Sequence, residues 1–135
     1  MVGIIITGHG HFATGLGSGL QLVTGIKENV VLVDFEADHS TDVLNKNLNA
    51  AFDELKECDG VLVLADLAGG SPFKIAVERK CGCNDQKIEV IAGTNLPMLI
   101  EGAMMMSSFD CPSEMAESLI QTGKDYIARF ESENP

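Results

Sequence analysis

The sequence has no tryptophan, one tyrosine and six phenylalanines among 135 residues, so its core has to be built from aliphatic side chains. Basic residues are also scarce. Nine Lys and Arg, of which only Arg79 and Arg129 are arginines, stand against twenty Asp and Glu, for a formal net charge of -11. Binding a phosphodiester backbone requires clustered cations that displace counterions, which excludes nucleic acid as a partner and favours a basic protein surface. There is no long apolar run and no basic stretch ahead of the first apolar segment, so neither membrane insertion nor export is predicted, and the cytoplasm is the expected compartment. In that compartment Cys58, Cys81, Cys83 and Cys111 should remain thiols, and Cys81-Gly82-Cys83 lacks the spacing of a structural zinc site. Neither a linker nor an internal repeat interrupts the chain, so residues 1–135 are read as one domain, burying roughly two-thirds of its unfolded surface.

What is present is an alternation. Short apolar runs at Val2–Ile6, Val30–Phe35, Gly60–Ala65 and Ile88–Ala92 are spaced too widely for hairpins and read as buried parallel strands. Between them lie amphipathic stretches. Phe12, Leu16, Leu20 and Val23 share one face, although Gly15, Gly17 and Gly19 make that helix weak on its own. Leu44, Leu48, Ala51, Phe52 and Leu55 mark a second helix, with Asp38 and Ser40 as candidate caps. Ser71 as cap and Pro72 at the first helical position open a third, Leu96–Met106 a fourth, and Pro112–Thr122 a fifth, with Gly123 as a left-handed terminator. Tyr126–Phe130 is compatible with helix or strand. Strands alternating with helices imply right-handed crossovers, hence an α/β, doubly wound, mostly parallel four-stranded sheet with helices on both faces.

Such sheets place their ligands at the carboxyl ends of the strands, beside the point where strand order reverses. The loop after the first strand is Thr7-Gly8-His9-Gly10-His11, an imidazole between two glycines that allow close approach to the backbone. The loop after the third is Asp66-Leu67-Ala68-Gly69-Gly70-Ser71-Pro72. With a strand order of 2-1-3-4, these two loops are neighbours, and His9 falls beside Asp66. A carboxylate on one imidazole nitrogen fixes the tautomer and leaves the other as a nucleophile. The amides of Gly69, Gly70 and Ser71 at a helix start offer an anion site. Nucleophile, orienting group and phosphate cradle thus converge on His9, Asp66 and Gly69–Ser71.

Gly8-His9-Gly10, Gly69-Gly70-Ser71-Pro72-Phe73 and Asn95-Leu96-Pro97-Met98 follow one another at the three strand ends in an order and spacing that resemble the IIA component of mannose-family sugar phosphotransferase systems. The resemblance covers nearly the whole chain. It implies a phosphoryl carrier that takes phosphate from the phosphocarrier HPr on His9, oriented by Asp66, and passes it to a histidine of the IIB component, with the membrane components IIC and IID engaged only indirectly. It implies no cofactor and no metal. It also implies a homodimer in which a segment near Tyr126–Phe130 adds a fifth, antiparallel strand to the partner's sheet. Many members carry Thr or Trp between the aspartate and the glycine pair; Leu67 and Ala68 stand here, removing a hydroxyl from the pocket.

Other readings compete. His9, His11 and Asp66 could serve a metal-dependent hydrolase, although neighbouring residues off a strand end rarely converge on one ion and a glycine pair at a helix start suits an anion. A histidine phosphatase would need arginines around the phosphate, and Gly8 occupies the place where one is expected. The phosphoryl donor subunit of dihydroxyacetone kinase commonly shows Ser-His-Ser at its histidine, against Gly8-His9-Gly10 here. His11 is read as a solvated or capping residue, His39 as surface, and the Met98, Met104, Met105 and Met106 group as core filling rather than a site.

Overall fold

The computed structural model describes residues 1–82 and 85–132. Cys83 lies outside them, and Cys58, Cys81 and Cys111 are free thiols. Strands β1 (Val2–His9), β2 (Val30–Phe35), β3 (Gly60–Ala65) and β4 (Ile88–Ile91) form one parallel sheet in the order β2-β1-β3-β4. The helices are α1 (Phe12–Thr24), α2 (Thr41–Glu54), α3 (Ser71–Gly82), α4 (Leu96–Met105) and α5 (Pro112–Asp125), with a short 3₁₀ turn at Met106–Ser108.

The near-continuous apolar strands are explained by burial on both faces. On one face Val2, Ile4, Ile6, Leu62, Leu64 and Ile91 pack against Leu20 of α1, Met98 and Leu99 of α4, and Met115 and Leu119 of α5. On the other, Ile5, Val33, Val61 and Val63 pack against Leu44, Leu48 and Phe52 of α2 and Ala76 of α3. Each fully buried aliphatic side chain contributes about 1.5–3 kcal/mol relative to exposure, which is how a sheet without tryptophan is held between two helical layers.

Three local details depart from the sequence reading, and one narrows it. β1 runs to His9 rather than ending at Ile6, because β2 continues alongside it and pairs Thr7, Gly8 and His9 with Val33, Asp34 and Phe35. The third helix has its cap one residue earlier than expected: the Gly70 carbonyl accepts the Lys74 amide at 3.0 Å, so Ser71 and Pro72 are the first two helical residues. Of the two candidate caps before α2, Ser40 is the one used, its hydroxyl accepting the Val43 amide at 3.2 Å. Gly123 ends nothing, because α5 continues to Asp125 and Gly123 is buried where it meets α4. A methyl group there would lie 2.9 Å from Met98 Sδ, so this glycine is a packing requirement and not a left-handed stop.

The methionine group also divides. Met98 and Met106 are core residues, whereas Met104 is exposed. Among the described residues, no helix is long and apolar enough to cross a membrane. Residues 127–130 form neither helix nor strand within a single chain.

Candidate phosphoryl-transfer site

Because β1 and β3 are adjacent, their carboxyl ends bring His9 and Asp66 together across the switch point. His9 Nδ1 lies 2.8 Å from Asp66 Oδ2, and the His9 backbone amide donates to the same oxygen at 2.9 Å. The other carboxylate oxygen, Oδ1, accepts the Leu67 amide at 2.7 Å. Burial of Asp66 opposes its ionisation, but the hydrogen bonds from the His9 amide, the His9 ring and the Leu67 amide outweigh it and hold the carboxyl below its ordinary range. An ionised Asp66 only accepts, so in the neutral ring Nδ1 carries the proton and Nε2 the lone pair.

The loop after β4 secures the backbone beneath this pair. Gly93, at φ 76°, donates its amide to the Asp66 carbonyl at 2.9 Å. Thr94 donates its amide and hydroxyl to the Ala65 carbonyl at 3.2 and 2.8 Å. Gly93 and Thr94 open the stretch after the fourth strand that carries the family resemblance, but the sequence reading gave them no role; a glycine followed by a hydroxyl residue just past a strand was the available signal. Asn95, part of the fourth-strand motif, is structural: its Oδ1 caps α4 through the Met98 amide and its Nδ2 donates to the Gly123 carbonyl at 2.9 Å.

The glycines around His9 act differently from one another. Gly8 makes room inside the protein, since a methyl group there would lie 2.6 Å from Phe12 Cδ2 and 2.9 Å from Asp66 Cγ. Gly10 takes the left-handed conformation, φ 61°, that turns the chain from β1 into α1. Gly70 is the floor under the imidazole: a methyl group there would lie 2.4 Å from His9 Cε1 and 3.0 Å from Nε2. The predicted Gly69–Ser71 turn is therefore next to the unprotonated nitrogen, at the positive end of α3. Its Gly70 amide closes a long 3.4 Å bond onto the Leu67 carbonyl, while among the described residues the Gly69 and Ser71 amides have no intramolecular acceptor. The His9 side chain is 45% exposed, open to a partner, and Asp66 is 12% exposed.

His11 belongs elsewhere. Its Nε2 pairs with Glu36 Oε1 at 2.9 Å, and this bond, with the negative charges of Glu36 and Asp34, raises its pKa above the ordinary histidine value. His11, Asp34 and Glu36 place their ligand atoms within 4.8 Å of one another and are the metal-like grouping found among the described residues. His9, His11 and Asp66, the set a metal hydrolase would require, do not form one. His39 is part-buried and not simply surface: its Nδ1 accepts the Glu36 amide at 3.1 Å and closes the turn after β2.

Comparison with known proteins identifies the family. Residues 3–121 match the family model EIIA-man, described as the PTS system fructose IIA component. The mannose-specific EIIAB component of Escherichia coli K12 is 34% identical over 128 residues, covering 93% of this chain and 38% of that protein, so the chain spans well under half of that relative. The fructose-specific EIIA component of Bacillus subtilis is 32% identical over 101 residues, 75% of this chain and 68% of its own length. A phosphotransferase system component EIIA from Streptococcus agalactiae superimposes with a TM-score of 0.87 at 33% identity, covering 96% of this chain and 98% of that one. The mannose/sorbose-specific IIA subunit from Enterococcus faecalis gives 0.85 at 27% identity, covering 98% and 97%. The fold and these likenesses together define a IIA-type component of a sugar phosphotransferase system. Within that class, the chain belongs to the EIIA-man family of mannose- and fructose-type IIA components.

The low Asp66 pKa fixes the sign of a stability effect. A carboxyl whose folded pKa is depressed stabilises the fold above its unfolded pKa of about 3.9, and that contribution is lost as pH falls through the lower folded value. The difference in urea stability between the parent and Asp66→Asn should therefore shrink as the pH is taken below about 4. A difference that grows on acidification would contradict the ionised, three-donor Asp66 described above.

Proposed function

We propose that this chain is a cytoplasmic phosphoryl carrier, accepting phosphate from phospho-HPr on His9 and delivering it to a histidine of a IIB component for sugar uptake. The observation that carries this reading is the 2.8 Å contact between His9 Nδ1 and Asp66 Oδ2, which leaves Nε2 unprotonated above the Gly70 floor. In the transfer, the Nε2 lone pair forms a bond to phosphorus as the donor's P–N bond breaks and the donor nitrogen recovers its electron pair. The Nδ1 proton stays where it is. Positive charge developing on the ring is steadied by the ionised Asp66, and the free amides of Gly69 and Ser71, with the α3 dipole, face the phosphate oxygens. The reverse sequence hands the group to IIB. A phosphoramidate suits a relay because it is easily made and easily given away, and positioning with fixed dipoles supplies what a loose phosphoryl transfer needs. No step calls for a metal or an organic cofactor.

The net charge of -11 favours docking onto a basic rim around the donor histidine. IIC and IID are reached only through IIB. A donor role toward dihydroxyacetone kinase would use the same His9 chemistry, and Gly8-His9-Gly10 in place of Ser-His-Ser supports the sugar-transport reading.

Two expectations follow. Incubated with preformed phospho-HPr and chelator, the chain should gain one phosphoryl group by intact mass, acid-labile and base-stable. His9→Ala should abolish the gain, while His11→Ala and His39→Ala retain it. No gain from phospho-HPr, or a gain that persists in His9→Ala, would refute the carrier assignment.

A homodimer is also part of this reading. Tyr126, Ile127 and Phe130 are 67%, 77% and 88% exposed, and β4 has an unpaired edge of the kind a partner's extended tail would cover. Because α5 runs to Asp125, the test is removal of residues after Asp125. The truncated chain should sediment as a monomer, and a truncated chain that remains dimeric would exclude the strand exchange.

A further inference from the structure

We propose that Phe35 is a positioning residue for His9: an aromatic wall, rooted in the core, that keeps the imidazole on Asp66 with Nε2 aimed over Gly70. This rests on the phosphohistidine reading above for its consequence, but not for its geometry. The Asp66 bond opposes rotation of the ring about its Cβ–Cγ bond, because Nδ1 lies off that axis, but a single hydrogen bond still lets the ring rock. Gly70 limits that rotation from below. The remaining restraint comes from the neighbouring strand.

His9 and Phe35 are register partners and the last residues of β1 and β2. Their ring centroids are 5.9 Å apart with the planes inclined at 60°, within the range of tilted aromatic pairs. Phe35 is part-buried and packs against the core cluster on the α2 and α3 face, which restrains its ring from following a moving imidazole. The backbone joins the two positions again. The Gly10 amide donates to the Phe35 carbonyl at 2.7 Å, and the pair forms an isolated bridge just past the end of the parallel ladder. One residue further along each chain, His11 Nε2 meets Glu36 Oε1 at 2.9 Å. The chain emerging from β1 is thus fastened to the end of β2 at three successive positions, the first of them carrying the reactive ring. Phe35 has no polar atom on its side chain and does not itself react. Its contribution is geometric, and misplacement of a reacting group by a fraction of an ångström to one ångström is costly in rate.

The test compares the parent with Phe35→Leu, which keeps apolar volume in the core, and Phe35→Tyr, which restores the ring. Two quantities are read: single-turnover uptake from phospho-HPr over a range of donor concentrations, and the ¹⁵N shifts of His9 in the unphosphorylated protein. Phe35→Leu should lower the maximal rate about tenfold with the half-saturating donor concentration unchanged, and should move the His9 shifts from a single Nδ1–H tautomer toward averaged values. Phe35→Tyr should recover both. Parental rate and parental shifts in Phe35→Leu would overturn the proposal. So would a raised half-saturating concentration at parental maximal rate, which would make Phe35 a partner contact. If the parent itself takes up no phosphate, the carrier reading falls, and the nitrogen shifts alone decide whether Phe35 positions the ring.

Discussion

The structure turns on one carboxylate. Asp66 receives the His9 amide and the His9 ring on one oxygen and the Leu67 amide on the other, so three donors compensate its removal from water. Without them burial would push its carboxyl up rather than down, and a less firmly ionised Asp66 would hold the ring proton on Nδ1 less firmly. The tautomer of His9 is therefore set by the hydrogen-bonding of its neighbour. Even the peptide carbonyl of Asp66 is committed, to the Gly93 amide, which ties the end of β3 to the loop after β4.

Topology makes that interaction available. In the order β2-β1-β3-β4, β1 is flanked by β3 on one side and β2 on the other, and each neighbour supplies one restraint on His9: Asp66 from β3, Phe35 from β2. The crossover after β3 then passes through Gly70, under the imidazole, immediately before α3 begins. The resulting arrangement holds the imidazole by Nδ1 on Asp66 while the side chain stays 45% exposed.

Much of this was legible in the sequence. The strands followed from aliphatic runs whose burial on both faces removes any polar alternation, and the His9–Asp66 pairing followed once the strand order placed two post-strand loops side by side. What was not legible depends on contacts between distant residues. Gly8 reads as an open approach to the backbone but is occupied by Phe12 and Asp66; Gly123 reads as a helix stop but is a notch for Met98. The extension of β1 to His9 depends on how far β2 runs beside it, which local composition does not encode. His11, equally close to the strand end in sequence, is drawn to Glu36 on the other side of the turn.

The central claim is that Asp66 selects the reacting nitrogen. It is tested most directly by assigning the phosphorylated atom, using ³¹P and ¹⁵N couplings in the phosphorylated chain. Phosphate on His9 Nε2, with Nδ1 still protonated toward Asp66, is the predicted result. Phosphate on Nδ1 would require the Asp66 bond to be broken in the working state and would contradict the account.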